Sequence, residues 1–115
     1  MAKHQHLTME FVDQQIHHWQ NVRQILLRIE EHPTDSIETR IYKRYLKLGN
    51  VATVAKELNE EGFRLLNETT GKQLKFTSND VSDFIRSKKI DDEEMMQLTR
   101  TILKDHTAFA NKHWN

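Results

Sequence analysis

At 115 residues the chain has the length of one compact domain, and 30% charged against 37% hydrophobic residues with a single Pro is the balance of a soluble helical protein, not a disordered or fibrous one. The absence of cysteine excludes disulfides and thiolate metal sites. The longest aliphatic run, Ile25-Leu26-Leu27, is far too short for a membrane span or a signal-peptide core, so a cytoplasmic protein is expected. Net charge is zero but unevenly spread. Residues 1–34 carry three Lys/Arg against four Asp/Glu, residues 35–90 eleven against eight, and residues 91–115 three against five, a mildly basic centre between acidic flanks.

In chain order, Val12, Ile16, Trp19, Val22, Leu26 and Ile29 recur at three- and four-residue steps, which predicts a long helix over residues 8–31 with one apolar face. Thr8 is its cap and His32-Pro33 its stop, because the residue before proline is pushed out of the helical region. Asp35-Ser36-Ile37-Glu38 then announces a second helix with Ile37, Ile41, Tyr45 and Leu48 inward, ending at Gly49. Asn50 caps a third, with Val51, Val54, Ala55 and Leu58 on one face and Gly62 at its end. Beyond it FRLLNETTGKQLKF roughly alternates apolar and polar residues around Asn67 to Gly71, as in a short β-hairpin or an ordered loop. Thr77 or Ser78 caps a fourth helix with Val81, Phe84 and Ile85 inward. Asp91 to Glu94 place four acids at the positive end of a fifth, whose stripe is Met95, Leu98, Ile102 and Phe109. The expected fold is mainly α: a single domain with a long N-terminal helix (8–31), a trihelical helix-turn-helix head with a hairpin-like insert (35–90), and a long C-terminal helix (91–112).

Helices over residues 36–48, 51–61 and 78–88 have the order of a DNA-binding trihelical unit, in which the third helix enters the major groove and the earlier ones brace it. LGNVATVAKELNEEGF, a loop containing Gly71, and then Phe76-Thr77-Ser78-Asn79-Asp80-Val81 with Phe84-Ile85 resemble the DNA-binding segment of large serine recombinases and resolvases. The resemblance covers residues 46–86. It implies a recognition helix after a glycine-bearing loop and a Thr/Ser cap, and since the family's serine-nucleophile catalytic domain has no counterpart here it implies no recombinase activity. The family is often basic after the position of Val81, where this chain has Ser82-Asp83, and an acid facing phosphate opposes binding.

With Val81, Phe84 and Ile85 inward, the opposite face of the recognition helix presents Asn79, Ser82, Asp83 and Arg86, near Ser78. Asn suits an adenine edge, Arg guanine and Asp83 cytosine N4, each good pair supplying roughly 1–3 kcal/mol of discrimination. Phosphate contacts are expected from Arg40, Lys43, Arg44 and Lys47, which form one basic edge of the second helix, and from Lys72 and Lys75 on the insert.

Other chemistries are poorly represented. His17-His18 diverge on a helix, His106 and His113 are seven apart, no two histidines stand at the i, i+4 spacing that clamps zinc, and Asp13 with His17 is only a pair. No nucleophile elbow, phosphate-cradling loop or tuned carboxylate pair occurs, so neither catalysis, metal, cofactor nor small-molecule substrate is expected. The two long flanking helices are expected to pack on each other and on a second copy, giving a homodimer suited to a palindromic site. Together these features lead to the expectation of a non-catalytic, sequence-specific duplex-DNA-binding protein, a bacterial or mobile-element transcriptional regulator. The alternative is a helical adaptor that binds another protein through its flanking helices, which near-neutral charge and Ser82-Asp83 favour. RNA binding ranks third, without an aromatic platform.

Overall fold

The computed structural model describes the backbone of residues 7–114 and the side chains of residues 7–106. The element order is α1 (Met9–Leu26), α2 (Ile37–Leu48), α3 (Val51–Glu60), β1 (Leu65–Leu66), β2 (Gln73–Leu74), α4 (Ser78–Ser87) and α5 (Glu93–Trp114). The fold is thus mainly α with one small antiparallel hairpin, pairing Leu65 with Leu74 and Leu66 with Gln73.

Local chemistry explains most boundaries. The side chains of Thr8, Ser36 and Asn50 accept from the backbone N–H groups of Phe11, Thr39 and Thr53, each satisfying an otherwise orphaned donor of a first helical turn. Thr77, not Ser78, caps α4, in a reciprocal box with Asp80. Asp92 accepts from the Met95 N–H at the start of α5. Gly49 takes the left-handed conformation (φ 70°) that closes α2 and lets α3 begin two residues later. Gly62 (φ 89°) ends α3: its N–H donates to Asn59 O while Phe63 N–H donates to Leu58 O, the paired bonds that seal orphan carbonyls.

One core joins α2, α3, α4 and α5, built from Ile41, Tyr42, Tyr45, Val54, Ala55, Leu58, Phe76, Val81, Ile85, Met96 and Leu103. The insert does not interrupt it, because Phe76, immediately after β2, is buried in the same cluster. Fully burying such side chains stabilises by roughly 1.5–3 kcal/mol each, so the head carries most of the fold's apolar driving force.

Two expectations about the flanking helices need correction. The first helix stops at Leu26, not at residue 31. Past Leu26 the backbone tightens, Arg28 N–H donating to Ile25 O and Ile29 N–H to Leu26 O in place of four-residue helical bonds. Residues 27–36, with turns at 27–28 and 33–34, are held to α2 as a strap, Lys43 Nζ donating to Glu30 O and the Arg40 guanidinium to His32 O and Pro33 O. Nor do the long helices cover one another. Arg28 ties the end of α1 to Asp92 and Glu94, and Ile25 is the buried residue of α1, whereas Val12, Ile16, Trp19 and Leu26 are exposed. In α5, Met95 is buried and Leu98 and Ile102 half-buried, while Phe109 lies outside the described side chains. The result is elongated, 57 × 38 × 23 Å with a radius of gyration of 17.2 Å, against about 13 to 14 Å for a compact chain of this length. No described helix is long and apolar enough to cross a membrane.

Candidate nucleic-acid interface

Helix α4 is fastened at both ends. At its N-terminal side Asn59, the penultimate residue of α3, brackets the backbone of Phe76: its Oδ1 accepts from Phe76 N–H at 2.7 Å and its Nδ2 donates to Phe76 O at 2.9 Å. This pair of bonds fixes α4 against α3 while the hairpin loops out between them. Phe76 also meets Phe84 edge-on at a 5.8 Å centroid distance, an arrangement that suits the ring quadrupoles.

At the C-terminal side, carbonyls of Ile85 and Lys88 are gathered by two side chains from other helices. The Tyr42 hydroxyl lies 2.6 Å from each, and having one hydrogen it donates to one at a time. Arg100 Nε donates to Ile85 O at 2.7 Å and its second nitrogen to Lys88 O at 3.0 Å. A cation on the carbonyl end of α4 also complements the helix dipole. Burial pushes the Tyr42 hydroxyl above the usual tyrosine range, with the Arg100 bond opposing the shift. With Val81 and Ile85 fully buried beneath it, α4 is a rigidly mounted helix.

Its outward face carries Asn79, Asp83 and Arg86, all exposed, with Ser78 and Ser82 half-buried beside them. Arg86 Nη1 and Asp83 Oδ1 are 4.0 Å apart one turn from each other, a contact through high-dielectric solvent that leaves both free to move. Lys72 and Lys75 are exposed on the hairpin and make no ion pair among the described residues. An open groove between α3 and the start of α4, with Lys56, Asn59, Lys75 and Ser78 on its walls, adjoins this face.

The basic edge expected on α2 is a different matter. Lys43 and Arg44 are 7% and 6% exposed, and Arg40 is half-buried. Arg44 lies between two acids, donating to Glu31 of the strap at 2.8 and 3.0 Å and to both carboxylate oxygens of Glu61 beyond α3, with Glu57 3.7 Å away. Lys43 pairs with Asp35 at 2.8 Å, and Arg40 pairs with Glu31 at 3.1 Å while lying over the Phe63 ring. The hydrogen bonds it donates to Glu61 and Glu31 hold the Arg44 guanidinium above its usual range, and the Arg44 bond keeps Glu61 below the ordinary carboxylate range against the opposing effect of burial. For Asp35, burial acts upward, but the Lys43 bond and the His32 amide outweigh it and the net shift is downward. These three cations fasten the strap and α3 to α2, so their charge is spent inside the molecule. Of the four, only Lys47 points freely outward.

Sequence reasoning missed Asn59, Tyr42 and Arg100 as the residues that position α4. Asn59 stood within the Leu-Asn-x-x-Gly signature, but nothing local says that its amide must meet a residue 17 positions on. Arg100 has no sequence signal, since its partners lie on another helix. Among the described residues no group of three His, Asp or Glu side chains is placed to hold a metal ion. Comparison with protein families, curated proteins and solved structures finds no match to this chain.

Proposed function

We propose that this protein is a non-catalytic, sequence-specific duplex-DNA-binding protein, with α4 as the helix that enters the major groove. The observation that carries this reading is the mounting of α4. It is fixed at both ends by Asn59, Tyr42 and Arg100, yet its polar face of Asn79, Ser82 and Arg86 is left uncovered. A pre-organised helix with an open polar face loses little conformational entropy when it docks. Asn79 and Arg86 are the base readers, Ser78 and Ser82 lie close enough to support them, and Lys72, Lys75 and Lys47 supply backbone contacts. The footprint is smaller than the sequence suggests, because Arg40, Lys43 and Arg44 are engaged internally. The resemblance of residues 46–86 to the DNA-binding segment of serine recombinases supports the same reading. Occupancy of an operator-like site in the cytoplasm of a bacterium, controlling access by other proteins, is then the mechanism.

The test is retardation of labelled duplexes at low salt, where phosphate attraction is greatest. Selection from a random duplex pool should return an enriched motif whose preference changes in Asn79→Ala and Arg86→Ala. Failure to retard any duplex at low ionic strength would exclude the reading. A second reading, a helical protein-interaction adaptor, is favoured by the internal neutralisation of the α2 cations and by the apolar residues exposed on α1. It takes over if DNA is not bound.

A further inference from the structure

Helix α1 exposes an apolar stripe that the other described residues leave uncovered: Met9 is 75%, Val12 39%, Ile16 51%, Trp19 62% and Leu26 43% exposed. With Arg23, these positions run 9, 12, 16, 19, 23, 26, alternating steps of three and four. That is the a/d spacing of a two-helix seam, in which the apolar residues face a partner helix and not a broad globular surface. The buried residue of the helix, Ile25, is not part of the stripe and lies where α1 meets α5, so the stripe is additional to what that packing requires.

We infer that this stripe is the homodimer interface, and that two copies of α1 pair antiparallel through it. Three observations select a second copy of the chain. The stripe is self-complementary in reverse: pairing Met9 with Leu26, Val12 with Arg23 and Ile16 with Trp19 of the second copy is a single register in which every pair sums to the same number, as a two-fold axis through the middle of α1 demands. Charge selects the same orientation. A parallel pair sets Arg23 against Arg23, whereas the antiparallel pair brings it opposite Val12 and beside Asp13 of the second copy, and the other seam flanks, Gln15, Gln20 and Val22, carry no charge. Area is sufficient. A helix of 18 residues is about 27 Å long, and covering these side chains on both copies removes on the order of 1,000 Å² from water, the size at which specific interfaces begin.

Sedimentation equilibrium or light scattering on the full chain without DNA gives the primary test. The expected mass is twice 13.7 kDa for the wild type. It should fall to the single-chain value in Ile16→Glu/Trp19→Glu, with amide protection in α2 to α4 retained, since both side chains are exposed in one copy. A wild type that stays single at about 100 μM overturns the proposal and assigns the stripe to another macromolecule, as does a dimer that the double variant leaves intact. Orientation is read by cross-linking, which the absence of native cysteine makes clean. Val12→Cys and Arg23→Cys should form a disulfide only when mixed, and rapid cross-linking of Arg23→Cys with itself overturns the antiparallel seam. Neither result depends on whether the protein binds DNA.

Discussion

Two groups of three cations in this molecule have opposite fates. Arg40, Lys43 and Arg44 on α2 meet acids contributed by the strap and by the end of α3, and they become joints of the fold. Lys72, Lys75 and Arg86 lie on the hairpin and α4, where the ion pair among the described residues is the solvated contact of Arg86 with Asp83, and they stay at the surface. The difference teaches that a row of basic residues at helical spacing defines an edge, while its use depends on which acids the tertiary structure brings to it. A free row raises the local potential for an anionic partner; a paired row contributes rigidity and almost no field.

The comparison is broken most directly at its internal end. Arg44→Ala leaves Glu31 and Glu61 without their shared partner and should lower stability by about 2–3 kcal/mol, less than for a fully buried pair because the glutamates reach solvent. Thermal unfolding should show a Tm lower by roughly 10 °C, while DNA affinity of the folded fraction stays within about twofold. A large loss of affinity at unchanged Tm would return Arg44 to the interface. Next in size, Asn59→Ala strands the partly buried Phe76 amide at a cost of about 1–3 kcal/mol. Hydrogen exchange at Phe76 and in the first turn of α4 should speed up more than in α2.

At the exposed end the effects move from stability to recognition. On the proposed reading of α4 as the helix that enters the major groove, Arg86→Ala should alter unfolding by less than about 0.5 kcal/mol yet remove about 1–3 kcal/mol of sequence discrimination, measured as the ratio of affinities for selected and scrambled duplexes. Lys72→Ala and Lys75→Ala should each weaken all duplexes alike and reduce the salt slope by about one. The smallest effect separates the two groups by pH. Asp35, Glu61 and Asp92 are held below their unfolded values by Lys43, Arg44 and Arg28, so their contribution is present above about pH 4 and is lost as pH falls through the depressed folded values. Urea midpoints should drop steeply below about pH 4 in the wild type and less so in Arg44→Ala, which has already lost the Glu61 share.

What was legible in the sequence was what local chemistry decides. Asn50 marks a helix start because a cap and its amide lie within three residues, and Gly49 and Gly62 mark ends because a left-handed residue is needed there. At α2 the expected Asp35–Glu38 box gives way to Ser36 as cap, since Asp35 is taken by Lys43 and the His32 N–H, and at α4 the choice left between Thr77 and Ser78 falls to Thr77 because Asp80 completes its box. The hairpin was legible from alternation around Asn67 and Gly71. The end of α1 was not, since the apolar period runs on past Leu26 while the segment after it is held to α2 by Lys43 and Arg40, contacts that no local pattern announces. Periodicity gave the apolar face of α1 but not its covering, because amphipathicity records that a stripe seeks burial and not what buries it. Within the candidate site, the outward set on α4 could be read from the inward one, whereas the fate of the α2 cations required knowing where Glu31 and Glu61 would lie.

The Asn59 bracket has one further consequence. With Asn59 gripping Phe76, and Phe76 itself locked in the core, both feet of the hairpin are fixed independently of its tip. Residues 67–72 can therefore vary in length at little expense to the head, since doubling a flexible loop adds only about 0.6 kcal/mol of closure entropy. That makes the tip the natural place for insertion of a reporter, and the separation between α3 and α4 along the chain becomes a tolerated variable.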